Sequence, residues 1–207
     1  MKKPECIKLL DKKLDQNVLV VTPTGKTYQY WEATGREAQI SQLNLGLCTP
    51  AGLGLALALP HRKVVALDGD GNLLFNLASV ADLAVQNPGN LIDIVFDNEC
   101  YQSCDSFPSV TSKGVNLEAI AKGCGIKNAV TIRDITRFEQ TLDEALNGNE
   151  LFFIVAKVEP GEEIVPLPRQ EGRENKYRFV RHVENTENIR IINPYSRRRK
   201  KDFTPST

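Results

Sequence analysis

Apolar residues along this 207-residue chain fall into short runs broken by polar, glycine and proline stretches. Val64 to Leu67 and Leu91 to Phe96 are nearly continuous in Val, Ile and Leu. Runs of that kind read as parallel strands buried on both faces. Val18 to Val21, Ile126 to Ile132 and Leu151 to Val158 also read as strands, and Gln39 to Leu43 as a weaker one. Helical patterns lie among them. Pro4 to Leu14 carries Ile7, Leu10 and Leu14 at helical spacing, and Lys26 to Ala33 has room for a turn or two. Thr49 to Leu59 is stopped by Pro60, and Leu73 to Val85 ends before Asn87-Pro88-Gly89-Asn90. Leu117 to Gly123 and Ile135 to Leu146 follow, the latter closed by Asn147-Gly148. This alternation predicts an α/β fold, an open and mostly parallel sheet with helices on both faces.

The pattern changes near Glu159-Pro160-Gly161. Residues 1–161 are the expected domain, and 162–207 a polar, basic C-terminal extension. Within that extension Val180 to Val183 and Ile189 to Ile192 are short apolar islands suited to a hairpin or an edge strand.

Charge narrows the classes of partner. Twenty-six Lys and Arg balance twenty-six Asp and Glu, so no overall field favours nucleic acid or membrane. The run Arg197 to Lys201 has no interleaved aromatics, which makes it a solvated tail rather than a nucleic-acid site. No apolar stretch approaches the roughly 20 residues of a membrane span, and Met1 to Glu5 has no secretory apolar core. The expected location is the cytoplasm. The five cysteines are scattered and include no Cys-x-x-Cys pair, against both a zinc site and a disulfide framework. Cys100 and Cys104 are read as free thiols.

The candidate chemistry sits where two strands end. Asp68-Gly69-Asp70-Gly71-Asn72 follows Val64 to Leu67, and Asp97-Asn98 follows Leu91 to Phe96. Asn72 through Asp97 are twenty-six residues, room for one helix and one return strand, so the two clusters belong side by side at the carboxyl edge of the sheet. Ligands of open α/β sheets bind at that edge. Magnesium takes about six oxygens near 2.1 Å and prefers one or two carboxylates with phosphate oxygens. Asp70 offers a carboxylate, Asn98 an amide oxygen, and the turn after it a backbone carbonyl, that of Cys100. Gly69 and Gly71 permit a tight turn, and Asn72 is placed to cap the next helix, whose N–H groups suit a diphosphate. Asp68 is a supporting or turn residue.

Gly69-Asp70-Gly71, this gap and Asn98 together resemble the cofactor motif of the thiamin diphosphate-dependent enzymes. Leu43 to Leu47 and Pro50 to Ala56 resemble their segment around the cofactor pyrimidine, and Asn98 to Ser103 their loop across the metal, with Gln102 where the family often has Gly. The resemblance covers roughly Lys2 to Gly161. It implies thiamin diphosphate and Mg2+ as cofactors, with Asp70, Asn98 and the Cys100 carbonyl on the metal. It further implies cofactor contacts from Leu43, Leu45, Gly46, Gly69, Asp70, Gly71, Asn72, Asn98 and Tyr101. The Leu43 carbonyl would receive the exocyclic amine, and the Leu45 side chain would wedge the cofactor into its bent shape.

No segment resembles the family's pyrimidine-binding domain, which carries the activating glutamate, and nothing places Glu32, Glu37 or Glu118 in that role. A separate pyrimidine-domain subunit is therefore the expected partner, and no catalytic residue is expected on this chain. The resemblance is to the diphosphate-binding half of 2-oxo acid decarboxylases of the sulfopyruvate and phosphonopyruvate type. An acetolactate synthase-like carboligase half and a catalytically silent interaction domain of the same fold are the alternatives.

Other positions carry weaker expectations. Gly52 and Gly54 serve helix–sheet packing or cofactor approach equally well. His61 reads as a surface residue, and His182 joins a site only if the extension folds back. Arg36 reads as a solvated arginine, with an anionic substrate group as its sharper alternative. The polar loop Glu99 to Asn116 contains Ser103 to Lys113, a candidate lid.

Overall fold

Alternation of strand side chains between two apolar layers organises the protein, for which the computed structural model describes residues 1–161 and 171–192. In chain order the elements are α1 (Lys3–Lys13), β1 (Leu19–Pro23), α2 (Lys26–Glu32), β2 (Gln39–Leu43), α3 (Cys48–Ala58) and β3 (Val64–Gly69). They continue with α4 (Asp70–Leu73), α5 (Ser79–Gln86), β4 (Leu91–Asp97), β5 (Cys100–Tyr101) and β6 (Phe107–Pro108). Then come α6 (Leu117–Cys124), β7 (Asn128–Ile132), α7 (Ile135–Asn147), β8 (Phe152–Lys157) and α8 (Gly172–Glu187). Six strands form one parallel sheet in the order β2-β1-β3-β4-β8-β7.

Leu19, Val21, Val64, Ala66, Leu91, Val95, Phe153 and Val155 face one layer, which is covered by α3, α5, α6 and α8. Val20, Val65, Leu67, Ile92, Ile94, Phe96, Ile154 and Ala156 face the other, under α1, α2 and α7. A sheet wet on neither face needs apolar residues at every strand position, which is why these strands are continuous runs. The expected fold class is thus the observed one.

The strand order also fixes where a ligand can enter. From β1 the chain crosses outward to β2, whereas from β3 it crosses the other way to β4. The loops after β1 and β3 therefore part, and a crevice opens between them at the carboxyl edge, the switch point of an open sheet. Asp68 pairs with Val95 and Gly69 with Phe96, so the turn after β3 and Asn98 after β4 are neighbours, as their spacing requires.

Three expectations about elements are corrected. The helix expected over Leu73 to Val85 is broken into α4, a 3-10 turn Leu74–Asn76, and α5. The tightening brings Asn76 against the loop after β2, where its Nδ2 donates to the Gly46 carbonyl at 3.0 Å. The loop Glu99 to Asn116 is not irregular throughout, for it holds the β5–β6 hairpin and a 3-10 turn, Val110–Lys113.

The apolar islands of the extension form neither hairpin nor edge strand. Val180 to Val183 lie within α8, where Phe179 and Val183 pack into the core. The backbone amides of Ile191 and Ile192 end the helix by donating to Glu184 Oε1 at 2.7 and 2.6 Å. Helix α8 covers the edge strand with one side chain: Asn175 Oδ1 accepts the Ser41 amide at 2.8 Å, and its Nδ2 donates to the Gln39 carbonyl at 3.4 Å. An amide side chain there satisfies the pair of groups an added strand would use. The basic run Arg197 to Lys201 lies outside the described residues.

Candidate active site

The crevice is lined by the segments that the topology brings to it: Thr24 to Thr27 after β1, Gly69 to Asn72 after β3, and Asn98 to Cys104 after β4. Leu45, Phe75 and Lys3 complete the wall used below. Asp70 is 2% exposed, and its Oδ2 accepts from Ser109 Oγ at 2.6 Å and Thr111 Oγ1 at 3.2 Å. No side chain donates to Oδ1 among the described residues. Burial pushes this carboxyl above its ordinary value despite the Ser109 bond, so a nearby cation would relieve an unfavourable charge. Asn98 lies beside it, holding Gln102 Oε1 through Nδ2 at 3.2 Å and accepting the Cys100 amide on Oδ1 at 3.3 Å.

Beneath Asp70 the Ser109–Thr111 segment joins two strand ends. Thr111 Oγ1 also donates to Asp97 Oδ1 at 2.8 Å, and Lys157 pairs with Asp97 and Glu99, both at 2.7 Å. Ser109 and Thr111 are buried, so these two residues of the candidate lid form a floor under Asp70. The first half of the lid projects as the hairpin tip, whose Asp105 and Ser106 take positive φ, while Val110, Ser112 and Lys113 in the second half are exposed around the buried pair.

The turn itself is shaped by close approach. A Cβ on Gly71 would lie 2.7 Å from the Tyr101 ring, which stands edge-on to Phe75 at 6.3 Å. A Cβ on Gly46, at φ +77°, would lie 2.8 Å from Asn76 Cβ. Asn72 does not cap a helix as expected. It lies inside α4, whose cap is Gly69, and its side chain accepts the Gly46 amide at 3.1 Å while donating to Asp68. Asp68 also receives the Gly69 amide at 2.7 Å. Asn72 thereby ties the turn after β3 to the loop after β2.

Of the expected contacts, Leu45, Gly69, Asp70, Gly71, Asn72, Asn98, Cys100 and Tyr101 share the crevice wall. Leu45 stands 48% exposed at its mouth. Leu43 and Gly46 are set back: the Leu43 carbonyl ends β2 and accepts the Thr24 amide at 2.9 Å, and Gly46 is held by Asn72 and Asn76.

Arg36 is neither solvated nor available to a substrate anion. It is buried, and its guanidinium clamps the end of α1 through Asp11 Oδ1, the Asp15 carbonyl at 2.8 Å and the carbonyls of Asp11 and Leu14. Gly52 packs α3 on the sheet, since a Cβ there would meet Ala66 at 3.1 Å, whereas Gly54 faces open space. His61 is exposed and bonded to Glu187, and the described cysteines are all free.

Sequence reasoning missed Lys3, the Thr24 to Thr27 segment, Ser109 and Thr111 as site residues, and gave Asp97 no role beyond its place beside Asn98. The one signal for Ser109 and Thr111 was a Ser/Thr-rich loop too long for a simple connection. A second missed feature lies behind the turn, where Thr49 Oγ1 on α3 bonds Asp93 at 2.7 Å and Asp68 at 3.3 Å. Both acids are fully buried, and burial pushes Asp93 up to about 8 and Asp68 up to about 6.

The residues fit a magnesium diphosphate. The donors at Asp70, Asn98 and the Cys100 carbonyl are all oxygens, the kind that ion takes. Magnesium takes about six oxygens, so phosphate and water would complete the shell around three protein donors. Burial, and then the nearby Asp70, pushes the Cys100 thiol above its ordinary value.

Comparison with known proteins agrees with this geometry. Residues 24–156 match the family described as "Thiamine pyrophosphate enzyme, C-terminal TPP binding domain". The chain is 32% identical over 187 residues to sulfopyruvate decarboxylase subunit beta of Methanocaldococcus jannaschii, covering 89% of this chain and 98% of that one. It is 30% identical over 150 residues to phosphonopyruvate decarboxylase of Streptomyces viridochromogenes, covering 72% of this chain and 37% of that one. Benzoylformate decarboxylase from Polynucleobacter necessarius has a similar fold, with a TM-score of 0.68 at 19% identity over 79% of this chain and about a third of that structure (34%). By sequence and by fold, the chain belongs to the thiamine pyrophosphate enzymes and carries their C-terminal cofactor-binding domain.

Proposed function

We propose that this chain is the diphosphate- and magnesium-anchoring subunit of a two-subunit thiamin diphosphate-dependent decarboxylase. Its substrate would be a small 2-oxo acid of the sulfopyruvate or phosphonopyruvate kind. The observation that carries this reading is that Asp70 and Asn98, just past the paired ends of β3 and β4, share one crevice wall with Gly71, where a Cβ would meet the Tyr101 ring. The near end-to-end match to a protein named as a beta subunit supports a separate partner bearing the pyrimidine-binding domain.

When bound, the cofactor supplies the electron sink for loss of carbon dioxide. This chain's residues do the positioning. Asp70 and Asn98 would hold the metal, with the Cys100 carbonyl as a third protein oxygen. Ser109 and Thr111 fix the orientation of the Asp70 carboxylate, and Asp97 with Lys157 fixes Thr111 in turn. Phe75 at 62% exposure and Leu45 present an apolar rim that the pyrimidine-domain subunit would cover, excluding water.

Native mass spectrometry of the full chain, purified gently with thiamin diphosphate and magnesium, tests the assembly. The expected species is a complex with a second chain and one cofactor per pair. Product analysis on that complex, with sulfopyruvate and phosphonopyruvate supplied singly, should yield the aldehyde and carbon dioxide, whereas a ligated product would reassign it as a carboligase. Asp70→Ala should abolish cofactor retention, and full retention with full activity would refute the metal assignment.

A further inference from the structure

The crevice contains a cation that the anchoring set leaves unused. Lys3 opens α1, and its half-buried side chain crosses the Phe96 ring, with Nζ 5.7 Å from the centroid. It ends on the wall that also carries Asp70, Asn98 and Thr27. Among the described residues it forms no ion pair and makes one hydrogen bond, a long one of 3.5 Å to Thr27 Oγ1. An ammonium has three N–H donors, so two of them point at no protein acceptor. A half-buried cation given so little in exchange for the water it has lost is better served when a ligand completes its shell. Its burial outweighs the attraction of Asp70 and holds the ammonium down to about 8, still charged at neutral pH.

We propose that Lys3 is a direct ligand of the terminal phosphate of the cofactor, supplying a charge-assisted bond in addition to the metal. The assignment rests on the magnesium diphosphate reading above. It follows from placement: Asp70 marks the metal, the metal carries the phosphates, and Lys3 faces the same volume from the α1 side. Thr27 steers the ammonium from the start of α2. A bound phosphate would then be held by the metal residues on the sheet side and by the Lys3 ammonium on the helix side. Lysine serves as a point charge for phosphate at such a position. The acid group of the substrate is the other anion that could reach this ammonium, and the experiment separates the two.

The test is isothermal titration of the full chain, in complex with its pyrimidine-domain subunit and at fixed magnesium, with thiamin diphosphate and with thiamin. Wild-type, Lys3→Met, Lys3→Gln and Lys3→Arg complexes are compared, with the second neutral variant standing in if the first does not assemble. Loss of the ammonium should weaken thiamin diphosphate by roughly 10- to 100-fold, flatten the dependence of that affinity on salt, and leave thiamin binding unchanged. Lys3→Arg should recover most of the loss.

Unchanged or tighter diphosphate binding by the neutral variants would overturn the proposal, since Lys3 would then only offset the charge of Asp70 in the empty site. A raised substrate KM with unchanged cofactor affinity would overturn it in favour of the substrate's acid group. A wild-type complex that fails to bind thiamin diphosphate would refute the functional reading itself, before any substitution is compared.

Discussion

Asp93 should give this protein a stability that falls with rising pH, and Asp93→Asn should remove most of that dependence. Its carboxyl lies in the apolar layer beneath α3 and receives one hydrogen bond, from Thr49, while Oδ1 has no partner. Burial, and then the nearby Asp68, raises it from 3.8 to about 8. The native state therefore keeps a proton that the unfolded chain releases. Unfolding sheds that proton throughout the window from 3.8 to about 8, so stability is lost as pH rises across it. One pKa unit corresponds to about 1.4 kcal/mol, so Asp93 alone should remove about 3 kcal/mol between pH 5 and pH 7. Asparagine keeps the shape and the acceptor for Thr49 but carries no titratable proton.

Urea denaturation of both proteins at intervals from pH 5 to pH 8 measures the difference directly. The variant should show a much flatter profile and gain on wild type as pH rises. Asp68, raised to about 6 by the same burial, should leave a residual slope at the acid end of both profiles. Parallel profiles would mean that Asp93 is ionised in the native state, and the account of the Thr49 pair would fail.

Three further outcomes are expected. Gly71→Ala places a Cβ 2.7 Å from the Tyr101 ring, so it should cost about 1 to 3 kcal/mol and weaken thiamin diphosphate in equilibrium dialysis; unaltered binding would show the ring yields freely. Asn175→Ala strips two bonds from the β2 edge. It should destabilise by about 1 to 3 kcal/mol and speed hydrogen exchange at the Ser41 amide, which should otherwise be protected. Arg36→Ala should lower stability by about 2 to 4 kcal/mol through the freed α1 carbonyls with cofactor affinity unchanged, as read by thermal unfolding and titration; lost affinity instead would return Arg36 to the site.

Much of the candidate site was legible because its residues are local in sequence. Gly69, Asp70 and Gly71 are consecutive, and Asn98 follows at the spacing of one helix and one strand. What pins Asp70 was not legible. Ser109 and Thr111 are some forty residues away in a loop whose only mark was its hydroxyls, and Lys3 belongs to an ordinary charged helix start. Asn72 shows the limit in another way: its identity allowed a helix cap, but the approach of Gly46 turned its side chain to a different partner. The α8 helix was misread because its one apolar island, Val180 to Val183, is too short to tell a strand pattern from a helical one, and the second island, Ile189 to Ile192, lies past the helix end.

The sequence by itself determined the doubly covered parallel sheet, because only continuous apolar runs can occupy strands with no wet face, and it marked the glycine turn, although the reason Gly71 must be glycine, the approach of the Tyr101 ring, is tertiary. The tertiary structure decided which side chains share the crevice and which acids lie buried behind it. Those depend on strand order, which opened the switch point between β1 and β3, and on distances across the sheet that no local pattern encodes.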